Sequence, residues 1–329
     1  MISFFPNSME GFTAVSDGEC VAIIMRTCNR PVLLVRALAS VLQQTHQNWH
    51  LYLVNNGGDK PTLENVLTDY RSAFGERLSV THYETNHSME AAANGALKQT
   101  KGDFVIIHDD GDTWHPSFLQ KTTAFLNAPE NHRYAAVTTN GETVYEQLEA
   151  DRIIEKYRKG QFFFQQHISF SELLFTNNNI PPISFLIRKS VADAVGSFNV
   201  DLPILSDWDY ILRVIQIGDI GTLDDVIARH HQRINENGIH DDMSAFREEQ
   251  HGKYNVLYTN ALIRAFLKSD PGTIGLLRLI MLKGDEKINA LLQQNQIRFD
   301  ELKTQIKRNS FFGKIKFELK RLKKKYLVK

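Results

Sequence analysis

Cysteine is almost missing from this 329-residue chain: Cys20 and Cys28 are the two. They cannot build a disulfide framework, so the fold must rest on its apolar core, and a reducing, cytoplasmic setting is expected. Long apolar runs are missing as well. The stretch Ile274 to Leu282 is too short to cross a bilayer and is interrupted by Arg278. Residues 1–19 lack the basic start and apolar centre of a secretory leader and are expected to wrap the surface. No internal repeat is visible, which argues against a solenoid or propeller. Hydrophobic residues make up 42% and charged residues 23% of the chain, ordinary values that exclude a disordered polymer.

Net charge is also lacking, since 38 basic residues balance 38 acidic ones. The balance hides an asymmetry. Residues 303–329 hold eleven Lys or Arg against the single acid Glu318, leaving 27 basic and 37 acidic residues elsewhere. Within this tail Phe312, Ile315, Leu319, Leu322 and Tyr326 recur at helical spacing among the lysines. Such a basic amphipathic helix suits an anionic membrane surface, here the inner face of the cell membrane. Packing of the same stripe on the body or on a partner is the alternative. The acidic body argues against nucleic acid as a partner.

What is present is a regular alternation. Val21 to Met25 and Trp49 to Val54 read as strands, each followed by a helical pattern: Leu34, Leu38 and Val41 after Pro31, then Leu63, Val66, Leu67 and Tyr70. Leu78 to Tyr83 is a third strand, Ser88 caps an Ala-rich helix through Lys98, and Asp103 to Ile107 is a fourth strand. This order predicts an α/β, Rossmann-like domain with a mostly parallel sheet. Beyond Trp114 the expectations are a helix from His115 to Leu126, a hairpin at Asn140-Gly141 and a strand from Ile183 to Ile187. They continue with a helix from Asp207 to Ile217, a strand from Val226 to His230 and continuous helix from Asp242 onward, broken at Pro271-Gly272. The implied division is a surface segment (1–19), a main domain (20–240, split at 114/115), a helical extension (241–302) and the tail (303–329).

Chemistry concentrates at His108-Asp109-Asp110-Gly111-Asp112-Thr113-Trp114. Three carboxylates in four positions follow a buried strand, where open α/β sheets bind ligands. They repel one another unless a cation lies among them, and oxygen donors suit Mg²⁺ or Mn²⁺. An ordinary Asp-Gly turn is the bland alternative.

These residues resemble family 2 glycosyltransferases, which have the GT-A fold. The segment 21–31 is similar to that family's opening strand and loop, and Asn55-Asn56-Gly57 to its Asp-Asp-Gly element. Asn86 to Gly102, with Lys101-Gly102-Asp103 after it, resembles the segment that leads to the acidic motif, and His108 to Pro116 the motif itself. Leu202 to Asp209 resembles the acceptor-side Glu-Asp motif with its Trp. The resemblance implies inverting transfer of a sugar from a nucleotide-sugar, most simply a UDP-sugar, to a hydroxyl of a glycan or lipid-linked acceptor in polysaccharide or lipopolysaccharide synthesis. It implies donor contacts at Thr27, Asn29, Arg30, Asn55, Asn56, Asn86, Asp109 and Asp110, and a catalytic base at Asp207. It further implies Mn²⁺ or Mg²⁺ held through Asp110, Asp112 and, as a nitrogen ligand, His230. Two departures stand out. Asn55 and Asn56 replace carboxylates, and Gly111 falls where the family often has its metal-binding Asp, so that Asp110 or Asp112 takes over or metal binding weakens.

Bland readings stand beside these. Asp207 and Asp209 suit a helix N-terminus, His230-His231 a surface pair, and Arg229 and Arg233 solvated cations. Asn177 to Asn179 suit a rigid loop, and nothing near Cys28 activates a thiol. A GT-A-fold binding module without turnover is the competing function. A phosphohydrolase built on the His108-Asp109 dyad is a weaker third, because such dyads sit on helices.

Overall fold

The computed structural model describes residues 18–149, 152–162, 168–175, 180–234 and 243–269, and six positions between 293 and 301. It divides into two compact units, Met1–Asn255 and Val256–Lys329.

The first unit is built on one nine-stranded sheet. Strand β1 (Val21–Thr27) lies between β2 (Trp49–Asn56) and β4 (Phe104–Ile107), parallel to both, and β3 (Leu78–Tyr83) extends the parallel part beyond β2. Val21 to Met25 are fully buried, which accounts for their uninterrupted apolar sequence. Helices α1 (Pro31–Leu42), α2 (Lys60–Phe74) and α3 (Met89–Leu97) make the crossovers. Pro31 opens α1, while Asp59 and Ser88 cap the next two by accepting the amides of Thr62 and Ala91. The chain runs outward from β1 to β3, then returns to the other side of β1 as β4. The loops after β1 and β4 therefore flank a topological switch point, the usual ligand crevice of an open α/β sheet.

Beyond β4 come the short β5 (Thr113–Trp114), α4 (Phe118–Asn127), β6 (Tyr134–Glu149) and β7 (Arg152–Phe162). Next are α5 (Phe170–Phe175), β8 (Phe185–Arg188), α6 (Lys189–Val195), α7 (Ser206–Ile217) and β9 (Asp219–Arg233). Strand β8 runs antiparallel to β4 and to β6, and β9 pairs parallel to β6 and antiparallel to β5. The predicted parallel half is thus joined to a mixed half.

Four expectations are corrected here. Asn140-Gly141 is not a hairpin turn: it lies within β6, where the register against β9 shifts. Asn140 Nδ2 donates to Asp224 O (3.1 Å), so the pair forms a bulge between two long strands rather than reversing the chain. The helix after Trp114 begins at Phe118, because Thr113 and Trp114 pair with Arg229 and Ala228. The 183–187 strand starts at Phe185, after a 3-10 turn over Pro182–Ser184. The 226–230 strand begins as early as Asp219.

Helix α8 spans Met243–Ser269. Its C-terminal part belongs to the second unit, along with helical positions between 293 and 301. The segment 1–17, the Asn177 to Asn179 loop, the 271–272 break and the tail lie outside the described residues. No helix among the described residues is long and apolar enough to cross a membrane.

Trp114 ties the acidic loop to the core. Its ring stacks on Phe118 at 4.6 Å between centroids, and its Nε1 donates to Ile183 O at 2.7 Å. Trp114→Ala is expected to cost about 3–5 kcal/mol. Trp114→Phe, which orphans the Ile183 carbonyl, should cost about 1–3 kcal/mol. Urea unfolding of both variants checks this.

Candidate active site

Two Asn residues end β2, and their position explains why they are not carboxylates. Asn55 donates to Gly58 O (2.8 Å) and accepts Gly58 N (3.0 Å), while Asn56 donates to His87 O (2.9 Å) and accepts His87 N (3.0 Å). An amide both donates and accepts; a carboxylate cannot. Asn56 also donates to Asn86 Oδ1 (3.1 Å), so Asn56 and Asn86 fix the rim. Asn29, in the left-handed region at φ 53°, accepts the Asp59 amide at 2.7 Å. Thr27, Asn29, Arg30, Asn55 and Asp59 line a narrow cleft together with Leu63 and Val66. The predicted donor-loop residues are brought together here.

Each acid of the cluster has its own cation. Asp109 accepts from Arg26 Nε (3.0 Å) and Nη2 (2.5 Å). Asp110 accepts from Arg30 Nε at 3.0 Å, and Arg30 Nη2 lies 2.7 Å from its other oxygen, near enough for an ion pair though off the hydrogen-bond direction. Its carboxylate is fully enclosed. Burial pushes it up to about 6, against the Arg30 charge and a hydrogen bond from Thr27. Asp112 accepts the His231 amide at 2.9 Å and faces His230 Nδ1 at 3.1 Å. Burial works to raise the Asp112 carboxyl, but the His230 charge and hydrogen bond hold it below its ordinary value. His230 in turn is raised despite its own burial, because Asp112 favours the imidazolium.

Beneath them is a group the sequence did not reveal. Glu146, buried on β6, binds Arg36 through both oxygens (2.6 and 2.9 Å) and His231 Nδ1 at 2.9 Å. Arg36 Nη2 also donates to Gly111 O at 2.7 Å, and His231 Nε2 pairs with Thr113 Oγ1 at 2.9 Å. This triad clamps the acidic loop to α1 and to the mixed half of the sheet. A lone Glu in a strand, 110 residues from its Arg partner, carries no local signal. His231 is thus a structural partner and His230 the one that faces Asp112. Arg229 is paired with Glu142 at 2.8 Å.

Asp207 sits in the first turn of α7, preceded by Leu205 at φ 72°, and its Oδ1 accepts the Trp208 amide at 2.9 Å. It borders a small apolar cavity of about 30 Å³ with Val105, Ile107, Phe185, Phe198 and Tyr210. Ile107 is the last residue of β4, so this cavity begins where the acidic loop starts. Asp209 instead binds Arg213 at 2.7 Å, an i,i+4 structural pair. The phosphohydrolase dyad fails on geometry. His108 is wholly buried against Trp114, its Nδ1 bonds the Asp109 carbonyl, and burial lowers its pKa.

A parallel half-sheet with a switch-point crevice, an acidic loop after β4 and Asp207 in the first turn of α7 define a GT-A-type fold. The chain belongs to glycosyl transferase family 2, whose model matches residues 22–195. Among relatives, it is 29% identical over 134 residues to EpsE of Bacillus subtilis, named as a glycosyltransferase, covering 41% of this chain and 47% of that one. It is 33% identical over 121 residues to WcaA of Escherichia coli, named for colanic acid biosynthesis, covering 36% and 42%. The chain thus spans about half the length of these relatives. The structure of S. aureus TarS 1-349 in complex with UDP-GlcNAc shares the fold at TM-score 0.52 and 19% identity, over 66% of this chain and 59% of that one.

The metal implied by the family finds a poor donor set. The Asp110 carboxylate is enclosed and paired to Arg30, that of Asp112 is held by His230 and the His231 amide, and Gly111 offers no side chain. Among the described residues no three His, Cys, Asp or Glu side chains cluster as metal ligands. The predicted set of Asp110, Asp112 and His230 places only the last two in contact.

The Glu146 carboxylate is held down at about 2 because, although burial raises it, the His231 and Arg36 hydrogen bonds outweigh that effect. Its stabilising contribution is therefore complete above about pH 4.5 and lost as pH falls toward 2. Glu146→Gln should flatten the fall of stability across that window. Glu146→Ala should cost about 3–5 kcal/mol at pH 7, read by chemical denaturation.

Proposed function

We propose that the chain transfers a sugar from a nucleoside diphosphate-sugar to an acceptor hydroxyl with inversion, in the assembly of a surface polysaccharide or related glycan. The observation that carries this reading is the pairing of two sites along β4. The cleft of Thr27, Asn29, Arg30 and Asn55 is joined to the acidic loop by the Arg30–Asp110 ion pair, while Asp207 borders the cavity that begins at Ile107. Inverting displacement needs this separation, since the base must act on the face opposite the leaving diphosphate. Asp207 takes the acceptor proton as its hydroxyl attacks the anomeric carbon, and the nucleoside diphosphate departs with the bonding electrons. Arg26 and Arg30 orient Asp109 and Asp110 at the crevice. A uridine nucleotide is the favoured donor, a reading supported by TarS, solved with UDP and with UDP-GlcNAc. The acceptor is a glycan or lipid-linked glycan, and the basic tail is assigned to the anionic bilayer surface that would carry it. Family membership with a distinct candidate base favours turnover over an inert binding module.

Calorimetric titration with a panel of nucleoside diphosphates tests the donor site: one nucleotide should bind. Asp207→Asn should leave that binding within about two-fold of wild type while lowering turnover of the matching nucleotide-sugar by about 10²–10⁴-fold. Equal turnover by the two proteins would remove Asp207 as the base.

A further inference from the structure

Gly111 occupies the position at which related acidic motifs place a metal-binding carboxylate, and its surroundings show what stands there instead. A Cβ built on Gly111 would lie 2.9 Å from Arg233 Nη1, with Cζ and Nη2 at 3.8 and 3.9 Å. The guanidinium of Arg233 therefore covers the space that an aspartate side chain would enter. Arg233 is the last residue of β9 and pairs in register with Glu146, so the buried Arg36–Glu146–His231 group fixes the strand that presents it. Arg233 Nη1 donates to the His231 carbonyl at 3.2 Å. Among the described residues it has no carboxylate within ion-pair distance, whereas Arg26, Arg30, Arg36 and Arg229 each have one. An unneutralised, partly buried guanidinium at a ligand crevice is a ready partner for phosphate oxygens, which match its planar donor fork.

We infer that Arg233, lying over Gly111, supplies the positive charge that a divalent cation would otherwise bring to the donor diphosphate, so that donor binding by this chain does not require a metal. The inference rests on the nucleotide-sugar reading given above. The absence of a carboxylate at 111 and the guanidinium over it act on the crevice in the same direction. An aspartate at 111 beside Arg233 would neutralise it, and a metal beside an unpaired Arg233 would be repelled. A guanidinium can also stabilise charge on a leaving diphosphate without any coordination geometry.

The test is calorimetric titration of the full chain with UDP, GDP and TDP, first in excess EDTA and then with Mn²⁺. The expected wild-type result is binding of one nucleotide whose affinity agrees within about two-fold between the two conditions. Arg233→Ala should weaken it about 10–100-fold, the loss of one charge-assisted contact, and Arg233→Lys should recover part of it. The double variant Gly111→Asp/Arg233→Ala should bind in Mn²⁺ and not in EDTA. Circular dichroism checks the fold of each variant, and Arg233→Gln replaces Arg233→Ala if the latter does not fold. Wild-type binding that needs Mn²⁺, or that Arg233→Ala and Arg233→Gln leave unchanged, overturns the inference while leaving the donor site intact. Absence of binding by all three nucleotides in both conditions overturns the donor-site reading itself, and this inference with it.

Discussion

Three carboxylates at the end of a buried strand cannot coexist without compensation, and the arrangement of this molecule follows from how that compensation is met. Coulomb repulsion between like charges a few ångströms apart is several kcal/mol once water is excluded. Each acid recruits a cation from a different part of the chain: Arg26 from the end of β1, Arg30 from the loop after it, His230 from β9. These pairs draw the acidic loop against β1 on one side and against the mixed half of the sheet on the other. The result is that the parallel half, which has the usual nucleotide crevice, and the half that carries Asp207 share one rigid boundary at β4.

Below the loop, Arg36, Glu146 and His231 extend the same principle into the interior. Burying a charge is costly unless it is paired and fully hydrogen-bonded, and Glu146 meets that condition with three short contacts. The arrangement does more than avoid a penalty. Arg36 also holds the Gly111 carbonyl, and His231 also holds Asp112 through its amide and Thr113 through its ring. Four consecutive residues of the loop, Asp110 to Thr113, are thereby pinned through side chains or backbone. For the proposed nucleotide-sugar donor such pinning is favourable, since preorganised charges need not rearrange when a charged ligand arrives.

Much of this was legible in the sequence, for identifiable reasons. The buried run Val21 to Met25, the Pro31 start and the Ser88 cap are local signals, and the first four strands and three helices appear close to where the sequence places them. The acidic motif and its place beyond β4 were equally local. Asn140-Gly141 misled because hairpin chemistry is also bulge chemistry: both need a tight local bend, and the long strands β7 and β9 paired on either side decide between them. Glu146 was invisible because its role exists only across the sheet. The replacement of carboxylates by Asn55 and Asn56 was visible as a departure, but its meaning, amides that bond both an N–H and a C=O of a loop, required the fold.

Gly111 shows how a departure from a motif becomes interpretable only with its spatial partner. Taken alone, a missing carboxylate suggests a weakened site. Set against Arg233, it becomes a change of sign at one point in the crevice, with a negative side chain that would have recruited a cation removed and a positive one placed over the gap. The other cations around the crevice are already matched to Asp109, Asp110 and Asp112, so they balance the protein's own charge and leave little for a ligand. The unmatched guanidinium is therefore the group that sets the local potential a diphosphate would meet. That potential is built on a strand held by Glu146, so the buried triad and the half-buried cation belong to one device: the first fixes the geometry, and the second supplies the charge.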